Sequence, residues 1–471
     1  MTYSNNPGPG SVKSVSDAMH VPFWLDDPLR PAPQPALTKE TFTDLLVIGA
    51  GYSGLWTALL AKEENLARDV VVLEAGEVAS GATGRNGGFM DASITHGFHN
   101  GYTRWKKELP TLLAMGLQNL KEIEETIERL GIDCDYIRTG NVDVATEPHH
   151  IAEMKKELAL AAPYRTNFQF LDRDEVQAIV KSPMFIAGLK KPDSSLVNPA
   201  HLAWGLRKAC LDSGVQLFEN SPVTKLEEEG KFVIAHTQHG RVRASRVALA
   251  TNAYPPLLKR LSSYVIPVYD YALMTEPLTP AQRESIGWHG REGVSDASRQ
   301  FHYTRTTKDG RILWGGYDAV YYWNNGFGPH LETSRAMFER LAEHFFQAFP
   351  QLQGIRFTHA WGGAIDTCSR FAPFWGTAHH GKTAYSVGFT GLGVGATRFG
   401  AKVMLDILYN KKTERTELEF VRAKPLPFPP EPLRSIGIHL TRWSMERVDR
   451  NGGRENLWLK AMDWLGLGFD S

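Results

Sequence analysis

Leu45-Leu46-Val47-Ile48, after Asp44, is a short unbroken apolar run, the pattern of a strand buried on both faces of a parallel sheet. A helical stretch follows over residues 55–65, and Val70-Val71-Val72-Leu73 is a second apolar run that stops at Glu74. The turn between the first run and the helix reads Gly49-Ala50-Gly51-Tyr52-Ser53-Gly54. Further helices are predicted over 103–130 with Gly131 as cap, 151–162, 201–210 after Pro199, 332–349, and from the glycine-rich 388–397 to 408. Strands are predicted at 140–145, 215–223, 232–236, 242–250 and 384–387. From 265 to 323 the pattern changes to aromatic β segments, at 265–268, 271–275, 300–305 and, after the turn Lys308-Asp309-Gly310, 311–317.

The fold class is therefore α/β, with a Rossmann-like lobe and an interleaved α+β lobe on an antiparallel or mixed sheet. The pieces expected in the first lobe are 40–100, 197–255 and 355–410, and those in the second 101–196 and 256–354. Residues 1–39 are a leader and 411–471 a tail.

The first β-α-β unit has a physical purpose at each position. Gly49 permits the tight turn, Gly51 lets the backbone approach a pyrophosphate, and Gly54 allows close helix–strand packing. The free N–H groups and dipole of the helix start then hold the phosphate charge. Glu74 lies at the carboxyl end of its strand, twenty residues after Gly54, where a carboxylate accepts hydrogen bonds from ribose hydroxyls. These features fit NAD and FAD alike. Residues 79–88, Ala-Ser-Gly-Ala-Thr-Gly-Arg-Asn-Gly-Gly, add a second stretch of bare backbone, which a flavin's ribityl chain and ring require and an NAD domain does not. FAD is favoured.

Composition narrows the partner. The 471 residues are 42% hydrophobic and 22% charged, which excludes a disordered or fibrous chain. Lys+Arg and Asp+Glu both number 52, and no long basic run occurs, so neither nucleic acid nor an anionic membrane surface is indicated. Cys134, Cys210 and Cys368 are too far apart for a metal finger or a disulfide framework, which fits a reducing cytoplasm. The first forty residues lack the apolar core of a signal peptide, and no run of 18 apolar residues occurs. The expected partners are a small molecule and an electron acceptor such as oxygen or a quinone, with no metal.

The β-α-β with Glu74, residues 80–88, Ala250-Thr251-Asn252-Ala253 and the late glycine loop together resemble the D-amino acid oxidase superfamily of FAD-dependent oxidoreductases, over about residues 40 to 410. Gly54-Leu55-Trp56-Thr57-Ala58, Gly84-Arg85-Asn86-Gly87-Gly88, Trp361-Gly362-Gly363 and the Pro-rich tail are similar to its gamma-glutamylputrescine oxidoreductase branch. The resemblance implies oxidation of a C–N bond to an imine that water hydrolyses, with FAD bound noncovalently. It implies that Gly49, Gly51, Tyr52, Ser53, Gly54, Glu74 and Ala75 hold the ADP half and that Val223, Thr251 and Asn252 border it. Thr83, Gly84, Arg85, Asn86, Gly87, Gly88, Trp361 and Phe389 would line the ring. Gly391, Leu392, Gly393, Val394, Gly395, Ala396 and Thr397 would present a helix start to flavin O2. Amino acid oxidising members carry an Arg in a G-x-R-P segment. Gly363-Ala364-Ile365-Asp366 stands there instead, which favours an amine over an α-amino acid. Cys368 falls a few residues from the flavin-linking position of sarcosine oxidases.

An alkyl ammonium has a pKa of roughly 10.4 and yields hydride only after losing a proton, which desolvation in an aromatic pocket promotes. His302, Tyr269, Tyr271 and Trp361 are the candidate catalytic residues, and Phe89, Tyr303, Arg305 and Phe389 the candidate substrate contacts. His96, His99, His149-His150 and His379-His380 are read as loop residues. In the tail, Leu457, Trp458, Ala461, Trp464 and Leu465 share one helical face that is expected to dock on the enzyme rather than on a membrane. The alternatives are an FAD-dependent amino acid dehydrogenase or oxidase and a non-catalytic flavoprotein that transfers electrons or assembles with a partner.

Overall fold

A computed structural model describes residues 3–164 and 166–467. Glu40–Ile48, the helix Tyr52–Glu64 and Val70–Leu73 form the β-α-β unit. The two strands pair in parallel from Leu45↔Val70 to Ile48↔Leu73. Arg241–Leu249 joins Glu40–Ile48 on its other side, also in parallel, followed by Thr383–Val387, while Gln216–Phe218 extends the sheet beyond Val70–Leu73. Lys225–Glu229, Phe232–His236 and Phe374–Ala378 complete eight strands. Alternation splits the apolar runs between two cores. Leu45, Val47, Val70 and Val72 meet the helices Tyr52–Glu64, Pro199–Asp212 and Gly393–Leu408, whereas Leu46, Ile48, Val71 and Leu73 pack with Val233, Ala235 and Val242. Both faces are covered, which is why these strands read as unbroken apolar runs.

The second sheet has nine strands and is mixed, with Gly293–Asp296 beside Asn141–Ala145 as its parallel pair. Ile266–Thr275 lies within it, and Arg335–Ala348 covers one face, setting Phe338, Leu341 and Phe345 among Tyr269, Tyr271, Leu273 and Trp314. This is the α/β architecture with a mixed second sheet that the pattern predicts.

Three elements differ from expectation. Residues 103–130 are not one helix: Gly97–Arg104 stops and Leu109–Leu130 restarts with Pro110 in its first turn, where a residue without an N–H is tolerated. Gly131 ends it in the left-handed region, as expected. Phe357–Thr367 is a continuous strand paired with Ile266–Thr275, so these residues belong to the second sheet, not to the lobe expected for 355–410. Glycine serves the packing here, since a Cβ on Gly362 would lie 2.7 Å from Tyr271 Cδ1. The tail forms two helices, Leu433–Arg450 and Leu457–Trp464. Among the described residues no helix is long and apolar enough to cross a membrane.

Candidate active site

A cavity of about 1190 Å³ is lined by residues of both sheets. At one end the backbone of the first turn is shaped for close approach. Gly49 has φ +101°, and a Cβ there would meet Ala250 O at 2.5 Å; a Cβ on Gly51 would meet Thr83 Oγ1 at 2.8 Å. Gly54 does not line the cavity; its Cβ would lie 1.8 Å from Gly49 O, so it is the residue that lets helix and turn touch. The helix Tyr52–Glu64 starts without a side-chain cap, leaving its first turn open to an anion, apart from the Tyr52 N–H, which donates to Thr83 Oγ1. Glu74 accepts from Ala50 N–H at 2.6 Å and from Gly76 N–H at 2.9 Å, one bond per oxygen. Burial nonetheless raises its pKa. Each oxygen keeps a lone pair for a ribose hydroxyl. Ser53, Ala75, Val223, Thr251 and Asn252 wall the same end. These residues fit a dinucleotide.

Residues 82–91 are pinned along the cavity by their own polar groups. Trp361 Nε1–H donates to Arg85 O, Trp24 Nε1–H to Asn86 O, and Arg85 donates to Ser80 O and Gly362 O while pairing with Glu332 at 2.9 Å. Thr83, Arg85, Asn86 and Gly87 line the cavity. Gly84 and Gly88 do not: Cβ atoms there would lie 2.4 Å from Ala79 O and 2.2 Å from Val197 O. Opposite, the helix Gly393–Leu408 also begins uncapped, with Gly391, Leu392, Gly393, Val394 and Thr397 on the cavity. Gly395 and Ala396 are turned away, and Gly395 admits the carbonyl of Asp91, 2.5 Å from where its Cβ would stand.

Beyond these elements the cavity opens into a chamber walled by Phe89, Asp270, Tyr303, Trp361 and Phe389. Tyr303 Oη donates to Asp270 Oδ2 at 2.8 Å. Asp366 accepts from Gly388 N–H at 2.6 Å and Phe389 N–H at 3.1 Å, and burial lifts its carboxyl to about 6. His96, read as a loop residue, borders the cavity with Nε2 against Thr390 O at 2.9 Å.

Three residues expected in catalysis or substrate binding are elsewhere. His302 is buried away from the cavity, with Nδ1 2.7 Å from Asp296 Oδ2, Nε2 2.9 Å from His344 Nδ1, and its ring stacked between Trp314 and Tyr317. Tyr269 accepts from Gly328 N–H with its hydroxyl and packs under Arg335–Ala348. Arg305 is fully buried and donates to Val197 O at 2.6 Å and Gly88 O at 3.4 Å, so it ties backbone together behind the cavity. Tyr271 borders the cavity, but its hydroxyl donates to Leu331 O and bonds Tyr322. The error at Ile266–Thr275 is one residue of phase: odd positions face the helix, and 266, 268, 270 and 272 reach the cavity. The missed signal was a lone carboxylate between two tyrosines, at Tyr269-Asp270-Tyr271.

The tail was also missed as a wall. Pro427, Phe428, Leu433, Gly437, Thr441 and Trp458 line the cavity. Asp449 fastens the longer helix by accepting from Arg299 N–H at 2.8 Å and Gln300 N–H at 3.2 Å. The expected docking face is only partly buried: Trp458 donates to Thr441 Oγ1, while Leu457 and Trp464 are each 85% exposed.

The DAO family model, described as FAD dependent oxidoreductase, matches residues 44–407. A probable oxidoreductase OrdL of Haemophilus influenzae is 31% identical over 76% of this chain and 82% of its own length. Gamma-glutamylputrescine oxidoreductase of Escherichia coli is 29% identical over 84% of this chain and 90% of its own. Among solved structures, glycine oxidase from Geobacillus kaustophilus superposes with a TM-score of 0.69 at 18% identity, over 82% of this chain and all of that one.

Proposed function

The chain belongs to the DAO family of FAD-dependent oxidoreductases, enzymes of amine and amino acid C–N bonds, and from that premise we propose that it oxidises a small primary or secondary amine to an imine. Water then hydrolyses the imine to a carbonyl product and the free amine. Gly49, Gly51, Glu74 and the two uncapped helix starts would hold FAD; when bound, FAD supplies the hydride acceptor. The binding is noncovalent in this reading, because none of the three cysteines is on the cavity and all are buried. We keep the expected division into two lobes, with 357–367 placed in the substrate lobe by its pairing and Leu109–Leu130 in the FAD lobe, where Leu112, Leu120, Ile123 and Ile127 pack with Leu45 and Val47.

The observation that carries the amine reading is the continuity of the dinucleotide cradle with a chamber of aromatic rings and carboxylates. Its arginines are committed. Arg85 pairs with Glu332, Arg299 with Glu455 and Arg442 with Asp318, and Arg434 donates to Pro429 O and Asn325. Where amino acid oxidising relatives are expected to place a guanidinium, Asp366 is engaged by two backbone N–H groups. The test is anaerobic mixing of the yellow holoenzyme with a panel of alkylamines, diamines, N-methylated amines and α-amino acids. Amines are expected to bleach the flavin and α-amino acids to leave it oxidised. Bleaching by α-amino acids alone would support the amino acid dehydrogenase, and by nothing at all a non-catalytic flavoprotein. Reoxidation with air against a quinone identifies the acceptor, and acid precipitation releases the flavin if it is noncovalent.

A further inference from the structure

Resting on the amine reading, we propose that Asp270 and Tyr303 form the subsite that binds the substrate as an ammonium ion and removes its proton before the C–N bond is oxidised. Both side chains line the chamber, and they are joined by the 2.8 Å bond from Tyr303 Oη to Asp270 Oδ2. Because the phenolic hydrogen is directed at Asp270, the lone pairs of Tyr303 Oη are acceptors, the complement of an N–H⁺ donor. Glycine sets the ring's position: a Cβ on Gly315 would lie 2.5 Å from Tyr303 Oη, and one on Gly87 2.8 Å from Cε2. Gly315 is the cross-strand partner of Tyr303, so the ring lies over its neighbouring strand, and Gly87 belongs to the segment assigned to the flavin ring. Tyr303 therefore joins the cofactor wall to the Asp270 carboxylate.

The other cavity carboxylates are occupied or distant in role. Asp366 holds Gly388 and Phe389, Asp318 pairs with Arg340 and Arg442, Glu74 holds the first turn, and Asp91 belongs to the strand against the start of Gly393–Leu408. Asp270 accepts from neutral donors, the Tyr303 hydroxyl, Tyr271 N–H at 2.7 Å and the Gly316 backbone N–H. The titratable and charged groups around it are Tyr271 on its own strand, His302 and Tyr303 on the strand His302–Thr306, Tyr317 and the paired Asp318 after Ile312–Gly316, and the Glu332-paired Arg85 against Gly363. Burial raises the Asp270 carboxyl to about 6, against the pull of these hydrogen bonds and of His302. A carboxylate of that strength is charged at neutral pH and is better matched to an ammonium proton than an ordinary carboxylate, and desolvation of the ammonium narrows the remaining gap.

The transfer balances in two linked steps. The ammonium N–H bond breaks as an O–H bond forms at Tyr303 Oη, and the original phenolic proton passes to Asp270 Oδ2. The products are a neutral amine, an intact Tyr303 and a protonated Asp270.

The test is stopped-flow flavin reduction as a function of pH, using whichever of butylamine, 1,4-diaminobutane or N-methylbutylamine bleaches the wild-type holoenzyme. In the wild type the rate is expected to fall tenfold per pH unit below about 6, where Asp270 is protonated. In Asp270→Asn that limb is expected to move toward the amine's own pKa, roughly 10, with a loss of about 10² or more at pH 7.5. Tyr303→Phe keeps the ring over Gly315 and is expected to shift the limb in the same direction, which decides the matter if Asp270→Asn does not fold. An unmoved limb in both flavin-replete variants, or its removal by Asp91→Asn instead, would overturn the proposal. Failure of every amine to bleach the wild type is a different result: it defeats the amine reading itself.

Discussion

Arg305 shows how burial decides between two roles for one side chain. Its guanidinium is pushed down to about 9 by desolvation, donates to the carbonyls of Val197 and Gly88, and lies over Trp24, 5.5 Å from the ring centre. Removing it takes the donor from the buried Val197 carbonyl, at a cost of about 1–3 kcal/mol, while Gly88 O keeps the Val197 N–H at 2.9 Å. Arg305→Met is therefore expected to lower the melting temperature by several degrees and to weaken flavin retention through the Gly88 backbone. KM for the amine should stay unchanged. Thermal melts alongside steady-state kinetics check this; a tenfold rise in KM at constant melting temperature would return Arg305 to the substrate site.

At the scale of elements, the helix that presents its uncapped start to the cavity is tied to its neighbour by one carboxylate. Glu122, on Leu109–Leu130, pairs with both Arg398 and Lys402 of Gly393–Leu408. Desolvation opposes ionisation there, but the two cations win and bring the carboxyl down to about 2. A depressed carboxyl contributes stability that is present above its unfolded value, about 4.3, and lost as pH falls toward 2. Partial exposure limits the contribution to about 1–2 kcal/mol. Glu122→Gln should thus lower the melting temperature at pH 7 and narrow its gap to wild type at pH 3, measured by calorimetry with flavin content followed in parallel. Elements of this kind were legible wherever one signal dominated. The β-α-β unit announced itself because apolar runs, glycines and Glu74 agreed. The aromatic strands did not reveal their phase, since Tyr269, Tyr271 and Trp314 are apolar enough for a core and polar enough for a pocket. Tyr269 and Trp314 went to the core under Arg335–Ala348, Tyr271 stayed at the border, and Asp270 took the cavity. The Leu109 restart was visible in Pro110, which a periodicity count overlooks.

For the whole molecule, the tail outside the family-matched segment completes the wall of the chamber. It is fastened by Asp449 to the backbone of Arg299 and Gln300, by Glu431 to Tyr321 at 2.7 Å, and by Ser369 Oγ–H to Leu426 O at 2.6 Å. Deleting residues 424–471 is expected to leave the ADP cradle intact while opening the chamber to water. KM for the amine should rise at least tenfold, with flavin still bound; Asp449→Ala should move KM in the same direction by less. An unchanged KM in the truncated enzyme would show that the tail is not part of the substrate wall. No pattern along the tail itself signalled this, because the partners that hold it lie on residues 299–325 and 369, far away in sequence.

The interleaving also governs when the enzyme can come into being on the ribosome. Glu40–Ile48 leaves the exit tunnel early, but its neighbour Arg241–Leu249 and the next strand, Thr383–Val387, are made much later, and the cavity-facing helix Gly393–Leu408 follows them. At roughly 5–20 residues per second the first turn waits tens of seconds for the rest of its own sheet. FAD must therefore be captured by a chain that is nearly complete, and in flavin-starved cells the vulnerable species is a full-length polypeptide with a half-closed sheet.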